Sequence, residues 1–185
     1  QDFDGVKADG TVQFAGMVKG KYNETTYPAF KIDMKVANGN VKYPSLPLGI
    51  SGINVDASVN SPSSTLNAMT INIPKFALKI GSNPLEGYFH LKTPETNPTI
   101  DTRITGTLNM GELSKAFPME GVKELNGIIK ANVTAKASMR QIDAQQYDQV
   151  QMAGNFNVQN LTYKAADMPT VKINSLITSL SPQKV

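Results

Sequence analysis

The stretch "AFKIDMKVANGNVKYP" (residues 29–44) decides the fold, because it alternates almost without error. Phe30, Ile32, Met34 and Val36 share one phase, and Lys31, Asp33 and Lys35 share the other. A period of two over eight residues is a strand with one dry face and one wet face. Asn38-Gly39 predicts a hairpin turn, with Val41 and Tyr43 opening a return strand that Pro44 interrupts.

The same pattern runs outward in both directions. Segments 11–22, 52–60, 66–73, 75–80, 85–92, 99–110, 126–139, 150–164 and 170–180 all alternate, with a phase slip predicted at Asn160. One helix is predicted, in "NMGELSKAFP". Asn109 caps it, Glu112 stands in the capping-box position, Leu113, Ala116 and Phe117 form its apolar side, and Pro118 ends it. A second helical turn in residues 140–149 is weaker. About ten strands with turn-length connections predict a single all-β domain over residues 1–185. Its expected form is a curved, largely antiparallel sheet, an open groove or an incompletely closed barrel, with one short helix. An internal echo aligns residues 40–62 with 160–182, matching Asn40/Asn160, Tyr43/Tyr163, Ile53/Ile173, Asn54/Asn174, Ser61/Ser181 and Pro62/Pro182.

Composition narrows the function. Of 185 residues 40% are hydrophobic and 18% charged, which suits a folded globular chain. The net charge of +3 is spread over single lysines on polar phases, with neither a basic run nor stacking aromatics, so no nucleic-acid partner is expected. The absence of Cys removes disulfide and thiol chemistry. No apolar run reaches the roughly 18–20 residues of a membrane helix. The sequons at Asn23, Asn132 and Asn160 read as accidental.

Catalytic chemistry is thinly provided. His90 is the only histidine, and it falls between Phe89 and Leu91 on the polar phase. A histidine ligand cluster is therefore impossible, and no nucleophile elbow surrounds a serine. Asp33, Asp56, Asp101 and Asp143 lie one to a segment, and "DFDG" at residues 2–5 supplies too few calcium ligands. No enzyme, metal or cofactor is expected. What remains is the apolar phase, rich in Ile, Leu, Val and Phe, with Met34, Met69, Met110, Met139 and Met152 assigned to it. It packs against a second sheet in a structural or adhesive β-sandwich, or it lines a trough for acyl chains.

Three blocks, in this order, resemble the AsmA-like family of bacterial envelope proteins. They are "VANGNVKYPSLPLGISGINVDASVNSP", "INIPKFALKIGSNPLEGYFHLKTPETNPTIDTRITGTLNMGELSKAFPMEG" and "ELNGIIKANVTAKASM". The resemblance implies an architecture related to TamB and the bridge-like lipid transfer proteins. It further implies a periplasmic location, an inner-membrane anchor lying outside this sequence, and passive transfer of phospholipid in outer-membrane and envelope biogenesis. The chain would then be an excised part of a longer membrane-anchored protein. The expected lipid-binding lining is Phe30, Ile32, Met34, Val36, Ile53, Val55, Met69, Ile71, Phe76, Leu78, Phe89, Leu91, Ile104 and Leu108. Leu113 and Phe117 are candidates to plug one end of the groove, unless the helix is a plain corner packed on the sheet.

Overall fold

The computed structural model describes residues 5–23, 26–44, 46–117, 119–166 and 168–181. Pro118, Pro182, residues 2–4 of "DFDG" and residues 24–25 of the first sequon lie outside that set. Nine strands form one antiparallel sheet in the order of the sequence. They are β1 (Lys7–Lys19), β2 (Ala29–Lys42), β3 (Ile50–Ser61), β4 (Thr70–Ile80), β5 (Asn83–Lys92), β6 (Thr99–Asn109), β7 (Val122–Ser138), β8 (Gln151–Ala165) and β9 (Val171–Leu180). The sheet is open, with β1 and β9 as its edges. A single sheet replaces the sandwich, so the apolar phases have no facing sheet among the described residues.

Two sequence expectations fail here for local reasons. Asn38-Gly39 does not turn the chain; it is a bulge inside the continuous strand β2. A type I′ hairpin turn needs positive φ at both central residues, and only Asn38 has it, at 52°. The extra pair Asn38–Gly39 stands opposite Gly10 of β1. Gly39 is buried, and a Cβ there would lie 2.9 Å from Val36 Cγ1, so close packing selects the glycine. Likewise, segments 66–73 and 75–80 belong to one strand, except that residues 66–68 form a 3-10 turn. Pro74 sits where the pairing with β5 shifts between Ile73 and Phe76, so its missing N–H costs no regular ladder bond.

The bulge at Asn38 has counterparts. Gly52 (φ 58°) and Ile53 stand opposite Leu78, and Asn160 (φ 48°) and Leu161 stand opposite Gly127. In each, a left-handed residue adds one position to its strand, which bends and twists the sheet locally. Asparagine side chains support the first two. The Asn38 N–H donates to Asn54 Oδ1 (3.1 Å), Asn54 Nδ2 donates to the Gly52 carbonyl (2.9 Å), and the Gly52 N–H donates to Asn40 Oδ1 (3.2 Å). The phase slip at Asn160 is thus a bulge. The echoed segments both span a strand end, a connection and the next strand, but matching Asn38 to Asn160 shifts their alignment by two residues.

Helix α1 (Met110–Ala116) lies at the end of the sheet where β4, β6 and β7 meet, touching all three. Asn109 caps it, its side chain accepting from the Gly111 and Glu112 N–H groups. Glu112 does not close a capping box; its carboxylate accepts from the Ser82 N–H (3.3 Å) and Asn83 Nδ2 (2.6 Å), tying α1 to the β4–β5 turn. The Leu48 N–H donates to the Lys115 carbonyl at 3.0 Å, adding the β2–β3 connection. The capping box occurs instead on α2 (Met139–Asp143), between Ser138 and Gln141. Ile80, Ala116 and Leu125 are buried at the α1 end, and Val158 is buried in β8. Met110 and Met139 each begin a helix rather than occupying a strand, and Met69 caps the 3-10 turn before β4.

Candidate functional site: an apolar face across nine strands

Paired residues of neighbouring strands point to the same side of a sheet, so the register defines the faces. One unbroken row crosses all nine strands: Val12, Val36, Val55, Phe76, Gly87, Ile104, Val133, Gly154 and Leu180. A second row on this face runs Ile32, Val59, Ile71, Leu91, Ile100 and Ala137. A third runs Leu108, Ile129, Val158 and Leu176. With nine strands there are eight gaps of roughly 4.8 Å, so the first row spans roughly 38 Å.

Most of these side chains are half-buried by their neighbours, but Ile100, Ile104 and Leu176 are exposed, as is Met34 on the same face of β2. Exposure rises at the β1 edge, where Val12 and Phe14 are 64% and 68% exposed. Glycines shape the face. Gly154 has φ 122°, and a Cβ there would fall on the Asn132 carbonyl oxygen, so the close approach of β7 and β8 excludes any side chain. At Gly87 a Cβ would lie 3.0 Å from Phe76 Cζ, so that ring extends over the neighbouring strand.

Of the expected lining, Phe30, Ile32, Met34, Val36, Val55, Ile71, Phe76, Leu78, Phe89, Leu91, Ile104 and Leu108 fall on this face by register. Ile53 reaches the same face beside the β3 bulge, where it pairs with Gly39 next to Val36, and Met69 precedes β4. The register carries the face beyond the expected set, through Val133, Phe156 and Val158 to Leu180. Their signal in the sequence was the same alternation. At the α1 end, the Phe117 ring meets Tyr43 edge-on at 6.0 Å between centroids. Phe117 therefore joins the helix end to the β2–β3 connection.

The opposite face is polar and also in register. Asp33, Ser58, Asn72, His90, Asp101, Lys136 and Gln151 form one row. A cavity of about 390 Å³ opens there, lined by Asn72, His90, Lys92, Asp101 and Lys136 among others. The Tyr88 phenol donates to Asp101 Oδ1 at 3.0 Å, and that bond, with burial and the negative charge beside it, raises the Tyr88 pKa. The Tyr88 and His90 rings lie 5.1 Å apart. No group of three or more His, Cys, Asp or Glu side chains among the described residues is placed to hold a metal ion.

A sheet of this kind, with one continuous apolar face and no second sheet over it among the described residues, defines an open β-scaffold. No protein-family model matches the chain, and no curated protein or solved structure matches it either. No helix among the described residues is long and apolar enough to cross a membrane.

Proposed function

We propose that the chain is an AsmA-like envelope protein that binds phospholipid by its acyl chains and passes it passively along the apolar face. The observation that carries this reading is the row from Val12 to Leu180, apolar or glycine at every strand and covered by no second sheet among the described residues. A row of roughly 38 Å exceeds the roughly 30 Å hydrocarbon thickness of a bilayer, so an extended acyl chain fits within it. Burying each CH₂ contributes about 0.8 kcal/mol, and the lack of directional groups on the face lets a chain slide. The head group stays near water. Leu113 and Phe117 limit the path at the α1 end. The protein works in the periplasm, anchored to the inner membrane by a segment outside the given sequence, in support of outer-membrane biogenesis.

The test is direct. Purified chain is extracted with organic solvent and the extract weighed by mass spectrometry, with native mass spectrometry of the intact protein alongside. Uptake of a fluorescent phospholipid is then compared between the natural chain and Ile104→Asp. The reading expects co-purified or acquired phospholipid, and lost uptake in a variant that keeps its strand signal in circular dichroism. A folded natural chain with neither bound lipid nor uptake refutes it.

A further inference from the structure

We propose that β1 is a homotypic edge, through which two copies of the chain join antiparallel with Phe14 opposite Phe14. Every residue of β1 is exposed, and one side of the strand pairs with β2 while the other faces no strand among the described residues. Natural edges are blunted by proline, by central charges or by shortness. β1 is thirteen residues long, has no proline, and carries no charge between Asp9 and Lys19. Val12, Phe14 and Val18 stand exposed along it.

The register follows from the backbone and the charges. Along an antiparallel strand, alternate residues direct N–H and C=O to the same side. Self-pairing therefore aligns donors with acceptors only when both members of each pair have the same parity in the sequence. Among such registers, the one centred on Phe14 places Val12 opposite Gly16 and Asp9 opposite Lys19, twice by symmetry. A centre one residue earlier would set Lys7 against Lys19. Asp9 and Lys19 both lie on the polar face, and Asp9 Oδ1 already accepts from Asn40 Nδ2 at 2.6 Å, which leaves Oδ2 to accept from lysine. The other edge, β9, contains Lys172 as its only charge, so no self-register there pairs opposite charges. A two-fold axis perpendicular to the sheet keeps both apolar faces on the same side, so the dimer is closed and continues the face across the junction. The proposal stands whether or not acyl chains occupy that face.

The chain lacks Cys, so single-cysteine variants give clean crosslinks. Under mild oxidation Phe14→Cys is expected to form a disulfide dimer by itself. Val12→Cys and Gly16→Cys should crosslink only when mixed, because each is distant from its own copy but faces the other. Sedimentation velocity of the unaltered chain should show a dimer that dissociates on dilution. Asp9→Lys should weaken it by roughly tenfold, and Asp9→Lys with Lys19→Asp should restore it. A natural chain that stays monomeric across the concentration series overturns the proposal, as does a dimer whose crosslinks centre elsewhere.

Discussion

Leu125 and Ile104 are both large aliphatic side chains on strands, yet their surroundings differ. Leu125 is 8% exposed beside α1, whereas Ile104 is 39% exposed in the middle of the apolar row. Truncation to alanine removes three carbons in each case. For Leu125 the transfer loss is about 2.4 kcal/mol at about 0.8 per carbon, and the cavity left behind brings it to about 3 kcal/mol. For Ile104 about six-tenths of that transfer loss applies, about 1.5 kcal/mol, with no cavity term because the site opens to solvent. The chain has no Trp, so urea unfolding is followed by tyrosine fluorescence and circular dichroism. With a slope of about 2 kcal/mol per molar, the midpoints should fall by about 1.5 M for Leu125→Ala and about 0.7 M for Ile104→Ala. Adding phospholipid should widen the Ile104→Ala deficit and leave that of Leu125→Ala alone, since a ligand stabilises only through the surface it touches. Equal losses in lipid-free protein would refute the open face, because they would require a layer covering Ile104 as closely as α1 covers its end.

Three further outcomes follow from single sites. Asn109→Ala removes the cap of α1 and should cost about 1 kcal/mol in urea unfolding. Gly154→Ala forces a side chain onto the Asn132 carbonyl at φ 122°, and should cost about 1–3 kcal/mol in the same assay. Asp101→Asn should lower the Tyr88 titration midpoint, read by phenolate absorbance, because the carboxylate that holds the phenolic proton is gone. The sign for stability follows: a raised Tyr88 pKa adds stability below about pH 10, lost as pH rises through the folded value. That alkaline loss should shrink in Asp101→Asn.

Much of the sheet was legible in the sequence because alternation is the direct signature of a strand with two unlike faces. The ends of β3, β5, β6 and β9 fall within two residues of the segments that alternate. The failures concern backbone conformation. Asn38-Gly39 is chemically a hairpin signal, and only the sign of φ at Gly39 makes it a bulge. Asn160 is the same kind of bulge and was readable, because it displaces the apolar phase from Val158 to Leu161. Glu112 occupies a capping-box position but is drawn to Asn83, a partner nearly thirty residues away that local spacing cannot reveal. Nearly all of the candidate lining was likewise recoverable from phase, Ile53 included, while Met69 was not. Its phase is correct, but it falls before the boundary of β4. Periodicity reports that a face is dry without reporting what lies above it, which is why one sheet and two sheets read alike.

The strictly sequential order of the sheet carries a further consequence. Each strand pairs only with the strands before and after it in the chain, so among the described residues no strand pairing bridges a distant part of the sequence. A hairpin inserted at any connection would lengthen the apolar row by two strand spacings, roughly 10 Å, while leaving the other pairings unchanged. Its deletion would shorten the row by the same step. The length of this scaffold is thus a quantity that gene-level duplication of hairpins can adjust in fixed increments, with the cross-section of the face conserved at each one.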